Sequence, residues 1–355
     1  MDLSVDRYFI VDVKLQILNI SNLEKYDSQK MYKIYDEWPE IAKNSYFKAE
    51  SITREPVKHI IFSGMGGSGT MGDFFAAILS KTNLHVNVVK GYLLPKNVSS
   101  ETLVVVTSIS GNTAETFSIL KAAKKIGCRI IVFSSGGKME EFSNNNNVEF
   151  IKIEKCHSPR ASFVNFLYSI LRTLEQIFPI KKEEVENSIK QLEITKKNIC
   201  SDNLELNNQS LDIAMSLKEV PLIYYPGGFE AAAIRFKCSL QENAKIHAIV
   251  EDVVEASHNG ITSWEIKSSV QPILLQGKDD YIKTKERWII FEGYFNKNNI
   301  KFKKITSIEG DIISKLVNLI YILDYASIYL AIINKIDPTP VNSIEYIKKK
   351  LLTKN

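Results

Sequence analysis

Two short stretches gather glycines and hydroxyls at points where a strand gives way to a helix. The first, Phe62 to Asp73, reads FSGMGGSGTMGD and holds G-x-G-x-x-G as Gly64, Gly66 and Gly69. Ile60 and Ile61 precede it and an apolar helical pattern follows, which is the context of a dinucleotide-binding fingerprint. That fingerprint makes a further demand: an acidic residue at the end of the next strand, about 20 residues on, to take the ribose hydroxyls. Here the next strand ends VNVVKGY, with Lys90 and no acid. The loop also offers the hydroxyl of Ser68 beside Gly66 and Gly67. A phosphate other than that of a nicotinamide cofactor suits it better.

The second stretch is TSISGNTAET, Thr107 to Thr116. It puts Ser108, Ser110 and Thr113 into one strand-to-helix turn, and Gly111 lets the backbone close in. A helix N-terminus adds free N–H groups and partial positive charge, so the turn is a socket for a monoester phosphate. Ser and Thr at a helix start are ordinarily caps. Three within six residues, beside a glycine loop, favour a ligand. Arg160, just after Ser158 and Pro159, sits at an expected helix start, where a cation opposes the helix dipole and so points to a partner anion.

These loops belong to a regular alternation of strand and helix. HIIFSG, LHVNVVKGY, TLVVVTSIS and CRIIVFSS read as strands, and the near-continuous Val/Ile runs suit a parallel sheet covered on both faces. GTMGDFFAAILSK and NTAETFSILKAAKKIG, the latter stopped by Gly127, read as helices. SPRASFVNFLYSILRTLEQIF reads as a helix with Ser158 as N-cap and Pro159 in the first turn. A lysine-rich stretch from Lys181 to Asn208 continues in helical fashion as a connector. The alternation then restarts: PLIYYPGG, QPILLQGKDD and IKFKKITSIEG as strands, FEAAAIRFKCSLQENAK and YIKTKERWIIFEGYFNKNN as helices, then a long and a short helix. Openings of the same kind at Gly64 and Gly227 suggest a diverged internal repeat. The expected fold is α/β, with two doubly wound parallel sheets in tandem and a C-terminal helical tail.

Composition narrows the rest. At 355 residues the chain is long enough for two domains, and 45% hydrophobic with 24% charged residues is ordinary for a globular protein. A net charge of +4 is too small at this length for a nucleic-acid binder, and Lys348, Lys349 and Lys350 form only a short run. Four cysteines, Cys128, Cys156, Cys200 and Cys238, show no metal-ligand spacing and suit a reduced compartment. The N-terminus carries early acids and lacks an apolar signal core, and Val11 to Ile17 alternates like a strand. The apolar stretch LVNLIYILDYASIYLAII contains Asp324 and reads as a buried helix rather than a membrane span. A cytoplasmic protein is expected.

GMGGSG followed by SISGNTAET resembles the sugar isomerase (SIS) fold, a flavodoxin-like fold that binds phosphosugars. SPRASF, QENAK, EASHNG and DPTPVNSIEYIKKKL further resemble the bifunctional phosphoglucose/phosphomannose isomerases, archaeal type, from about residue 35 onward. One departure is Ile109, where that family commonly has Tyr. The expected domains are 51–155 and 209–355 as SIS domains, 156–208 as a helical connector, and 1–50 as an N-terminal extension and helix, of which the part before about residue 30 is not covered by the resemblance.

It also implies a chemistry: reversible aldose–ketose isomerisation of glucose 6-phosphate and mannose 6-phosphate with fructose 6-phosphate through a cis-enediolate. Gly66, Gly67, Ser68, Ser108, Ser110 and Thr113 would hold the phosphate. Glu242 would move the proton between C1 and C2, a transfer that needs a base at the carbon. By spacing alone, Glu242 would read as a solvated helix-end acid. His258 would open and close the ring, reaching the pocket from a second subunit of a homodimer; an imidazole is the side-chain type suited to that proton shuttle. Arg160 would face the enediolate oxygens. Lys348, or Lys349 beside it, would lie near the ring oxygen, and Thr339 would give room for both epimers. No metal, cofactor, nucleic acid or membrane is expected. Two other readings remain: a sugar-phosphate-sensing regulator on the same fold, or another SIS isomerase such as a glucosamine-6-phosphate isomerase.

Overall fold

The computed structural model describes residues 18–52 and 55–352. The strand expected from Val11 to Ile17 lies outside them. Three helices, α1 (Ile20–Tyr26), α2 (Met31–Asp36) and α3 (Trp38–Lys48), lead into the first sheet. Its strands are β1 (His59–Ser63), β2 (His85–Val89), β3 (Leu103–Ser108), β4 (Arg129–Ser134) and β5 (Glu149–Lys152). They pair in the order β2-β1-β3-β4-β5, all parallel. Between them run α4 (Gly67–Leu79), α5 (Ala114–Ile126) and α6 (Gly137–Asn145). Every residue of β3 is buried, as a central parallel strand with helices on both faces requires. In this order the chain changes direction between β1 and β3. The loops after those two strands therefore part to leave a crevice at the carboxyl edge of the sheet.

Helices α7 (Phe163–Thr173), α8 (Lys182–Ile199) and α9 (Gln209–Ser216) connect to the second sheet. That sheet has the parallel order β7-β6-β8-β9, from β6 (Val220–Tyr225), β7 (Ile249–Asp252), β8 (Val270–Gln276) and β9 (Lys303–Thr306). Its helices are α10 (Glu230–Ser239), a short α11 (Val253–Ala256) and α12 (Ile282–Lys297); α13 (Ile312–Ile333) and α14 (Asn342–Leu352) complete the chain. Both sheets and the C-terminal helices match the expected α/β architecture.

Helix α13 is the axis of the molecule. It is apolar on all sides, and 94% of its most apolar stretch is buried, which is the signature of a core helix. Tyr321, Tyr325 and Tyr329 run along it, with Tyr35 and Trp38 stacked 4.4 Å apart alongside and Trp38 5.3 Å from Tyr321. Each buried hydroxyl on this ladder finds an acceptor: Tyr321 donates to the Tyr35 carbonyl at 2.6 Å, Tyr325 to Asp36 at 2.6 Å, and Tyr329 to the Ile199 carbonyl at 2.7 Å. A phenol that buries its large apolar face usually finds a partner for its oxygen.

Two local expectations need correction. Helix α7 begins at Phe163, so Ser158 does not cap it, and Ser158 to Ser162 form turns ahead of it. His157, with φ of 52°, breaks the backbone there, and the Ser158 carbonyl is taken up by the Ser162 amide at 3.0 Å. Helix α8 stops at Ile199, and residues 200–208 are not helical, because Asp36 accepts from both the amide and the hydroxyl of Ser201. The short elements α6, β5, β7 and α11 were not distinguished by pattern.

Candidate active site

The two hydroxyl-bearing loops lie side by side, since β1 pairs directly with β3. Helix α4 starts at Gly67 after Gly66, with no side chain capping its first amides. Gly64 must be glycine, because a Cβ there would meet the Ser68 carbonyl oxygen at 2.6 Å. In the second loop Gly111 has φ of 67°, and a Cβ would collide with the Gly136 carbonyl oxygen at 1.6 Å. Thr113 is the N-cap of α5, yet its hydroxyl caps nothing and instead pairs with Ser108 Oγ at 3.0 Å. Ser108 Oγ in turn accepts from the Gly111 amide at 3.1 Å. Ser110 is exposed and its Oγ accepts only a long 3.4 Å contact from Asn112. Two uncapped helix N-termini and the hydroxyls of Ser68, Ser110 and Thr113 thus share one edge of the sheet, an arrangement able to bind a phosphate.

Ile109 is buried in the core, and its carbonyl accepts from Ser135 Oγ at 2.5 Å. Its side chain is turned away from the socket, so the missing phenol removes nothing from the loop's own hydroxyls. Lys90 reaches back to Asp73 on α4 at 2.5 Å. The residue that fails the dinucleotide test is therefore occupied within its own fold unit.

Arg160 comes from the turns before α7 and is 4% exposed. Its Nε donates to Asn243 Oδ1 at 2.6 Å, and Nη2 donates to the carbonyls of Pro338 and Thr339 at 2.5 and 2.9 Å. Nη1 faces Glu242 Oε2 at 3.3 Å. Glu242 and Asn243 lie in a π-helical turn, Leu240–Ala244, that extends α10 and ends at Lys245 in a left-handed conformation. Such widened turns occur mostly at functional sites. The Glu242 side chain remains 25% exposed, so one face is open. Lys245 holds the turn by donating to the Glu242 carbonyl and, at 2.7 Å, to the Pro340 carbonyl. Burial, with Arg160 nearby, lowers its pKa below the usual lysine value.

Glu242 also lines a cavity of about 480 Å³ with Lys245, Val341 and Ile344. Ile344 lies in the first turn of α14, and Lys348, one turn further along the same face, is exposed. Thr339 stands against Arg160, its hydroxyl buried with no partner. The glycine loop closes the arrangement: a Cβ on Gly67 would lie 3.7 Å from Arg160 Cα. The chain thus brings Gly67, Arg160, Glu242 and Thr339 together across its two halves.

It does not bring His258 there. Helix α10 returns from the carboxyl end of β6, so Glu242 lies toward the edge at which β7 begins. His258 follows the far end of β7 and α11, with about 13 Å of strand between. It is exposed, and its own amide donates to the Glu255 carbonyl at 2.9 Å.

Sequence reasoning missed the groups behind Arg160. Arg235 and Asp324 form a buried ion pair at 2.7 Å, and Asn243 is held by Ser327 Oγ at 2.8 Å. The available signal was a single charge inside each of two short apolar runs, AAAIRF and YILDYA.

Residues 206–351 match the family described as the bacterial phospho-glucose isomerase C-terminal SIS domain, and residues 55–176 match the SIS domain. A bifunctional phosphoglucose/phosphomannose isomerase of Caldicellulosiruptor bescii is 31% identical over 88% of this chain and 94% of its own length. The chain belongs to the bifunctional phosphoglucose/phosphomannose isomerase family. A D-glucosamine-6-phosphate 4-epimerase of Sulfolobus acidocaldarius is 30% identical over 68% of this chain and 74% of its own. Among solved structures, the C-terminal domain of glucosamine-fructose-6-phosphate aminotransferase from Francisella tularensis shares the fold. It has a TM-score of 0.65 and 18% identity, and the match covers 85% of this chain and 95% of that one.

Proposed function

We infer that the protein is an aldose–ketose isomerase that interconverts glucose 6-phosphate and mannose 6-phosphate with fructose 6-phosphate. Family membership supports the activity. The observation that carries the mechanism is the half-open Glu242 carboxylate beside the buried Arg160 guanidinium, next to the glycine and hydroxyl loops. The phosphate would bind through Gly66, Gly67, Ser68, Ser110 and Thr113, with Ser108 bracing Thr113. That fixes one end of an opened sugar and leaves its reacting end at Glu242. Glu242 would take the proton from C2 of the aldose and return it to C1. Negative charge that develops on the two oxygens would face Arg160, whose other donors are already committed and which therefore need not reorganise.

Ring opening would fall to His258 of a second copy in a cytoplasmic homodimer, because the topology keeps this chain's own His258 at the other edge of the second sheet. Lys348, on the face of α14 that carries Ile344, is better placed than Lys349 to approach the cavity. A base serving both epimers must meet C2 protons on opposite sides, so the anchored sugar has to rotate about C2–C3. The cavity lined by Glu242, Pro340 and Val341, next to Thr339 in the chain, suits that movement.

The test is a coupled assay of fructose 6-phosphate formation from each aldose phosphate, with EDTA present. Both substrates should turn over, and each should inhibit the other's turnover with a constant equal to its own KM. Activity on glucose 6-phosphate alone would reduce the protein to a phosphoglucose isomerase. A product inverted at C4 would replace this reading with an epimerase.

A further inference from the structure

Behind the Glu242–Arg160 pair lies a second ion pair that no step of the isomerisation uses. Arg235, on α10, is 1% exposed and Asp324, on α13, is fully buried. Arg235 Nε donates to Asp324 Oδ1 and Oδ2 at 3.2 and 3.0 Å, and Nη2 donates to Oδ2 at 2.7 Å. Ser239 and Tyr35 donate to the same carboxylate at 2.5 and 3.2 Å. Desolvating two charges in this way is costly, and a well-packed apolar pair of similar volume often stabilises a fold as well or better. Stability is therefore a weak reason for its presence.

What the pair does beyond the fold is visible in the remaining donors of Arg235. Nη2 also donates to the backbone carbonyl of Arg160 at 2.7 Å. Nη1 borders Gly67, where a Cβ would lie 3.5 Å away. The guanidinium itself sits over the Phe163 ring, 4.5 Å from its centroid, at the start of α7. Arg160 is thus held at its backbone by Arg235 and at its side chain by Asn243, and Asn243 is fixed by Ser327, three residues after Asp324 on the same helix. One turn of α13 sets both ends of the arginine that faces Glu242.

We propose that Arg235 and Asp324 are a positioning pair for the reaction: they lock the turn that carries Arg160 against Gly67, and so set the Arg160–Glu242 geometry. This rests on the reading of Glu242 and Arg160 as the reacting pair. Neither Arg235 nor Asp324 need touch the substrate. A shift of about 1 Å at such a group can cost roughly a hundredfold in rate.

The experiment compares wild type with Arg235→Lys and with the double variant Arg235→Met/Asp324→Leu, which removes both charges and keeps the volume apolar. Three quantities are read for each: kcat and KM for fructose 6-phosphate, melting temperature, and affinity for arabinonate 5-phosphate against inorganic phosphate. Arabinonate 5-phosphate carries a carboxylate where the enediolate oxygens would be, so its binding reports on Arg160 without turnover. The double variant leaves the Ser239 and Tyr35 hydroxyls and the Arg160 carbonyl without these partners, so it should fold with a lowered melting temperature. Its kcat should fall about a hundredfold, its KM should stay within threefold, and arabinonate 5-phosphate should bind at least tenfold more weakly while inorganic phosphate does not. Arg235→Lys keeps the charge and loses the fork, and should show the same pattern to a smaller degree. It carries the test if the double variant does not fold. A folded variant with kcat within threefold of wild type, or with undiminished arabinonate 5-phosphate affinity, overturns the proposal. A wild-type protein without isomerase activity sinks the functional reading instead, and the arabinonate comparison still decides whether the pair positions Arg160.

Discussion

At the residue scale, the distinction between a solvated acid and a base rests on surroundings that Glu242 acquires only in the fold. Nothing in LQENAKIH says that its carboxylate meets a buried guanidinium at 3.3 Å. The π-helical turn matters here, because it widens the end of α10 and places Glu242 and the adjacent Asn243 on the same arginine. Replacing Glu242 with Gln keeps the size and leaves an oxygen for Arg160, but removes the ability to take a proton. Turnover of fructose 6-phosphate should fall by at least a thousandfold while KM stays within a few-fold, the pattern of a group that acts only in the transition state. Steady-state kinetics on the purified variant check this. Turnover within tenfold of wild type would remove Glu242 from the role of base.

At the element scale, long elements with a strong pattern were legible. The Val/Ile strands, the helices after Gly66 and Gly111, and the buried α13 follow from local composition. Elements of four residues, such as β5, β7 and α11, were not, because so short a run shows no period. The start of α7 was misread for a different reason. Ser-Pro is an ordinary helix opening, and the left-handed His157 just ahead of it is invisible in sequence.

That histidine carries its own consequence. Nε2 meets the Gln29 carbonyl at 3.1 Å and Nδ1 is buried without a partner, so a proton on Nδ1 would have no acceptor. Burial lowers the His157 pKa, aided by Arg160 and Lys155 and opposed by Asp27 and the Gln29 bond. The unfolded chain therefore takes up the proton first as pH falls. The stability contribution is complete above the ordinary histidine value of about 6.5 and is lost as pH drops through the lower folded value. Asp27, raised mainly by burial, acts in the opposite sense at more acidic pH, which makes a difference measurement necessary. His157→Asn retains a residue that tolerates positive φ and does not titrate. Melting temperature followed from pH 8 toward 5 should fall less steeply in the variant. Parallel curves would show that His157 contributes nothing to the acid limb.

At the scale of the whole molecule, the site is assembled from parts far apart in the chain: Gly67 and Arg160 from the first half, Glu242 and Thr339 from the second. Residue patterns nominated Gly67 and Arg160, and the resemblance nominated Glu242 and Thr339, but neither could place them on one another or pair the lone charges Arg235 and Asp324 of the second half. His258, also nominated, follows the far end of β7, and its surroundings bear on why. Ser257 and Ile261 flank it and line a cavity of about 410 Å³ with Ile290 and Phe291 of α12. Ile282, Ile289 and Ile290 on that helix are 58%, 71% and 66% exposed. An apolar face next to a histidine that follows the opposite end of β7 from Glu242 suits contact with a second copy. The proposed exchange can be tested by mixing two inactive proteins, Glu242→Gln and His258→Asn. After unfolding and refolding together, a random mixture is half heterodimer. In each heterodimer one site lacks both groups, while the other combines Glu242 of one chain with His258 of its partner. About a quarter of wild-type activity per subunit should return, the share expected when a two-fold interface exchanges one residue per site. The glucose 6-phosphate assay should be used, since a cyclic substrate requires the ring to be opened. If each site takes His258 from its own chain, every site in the mixture keeps one defect and no activity returns.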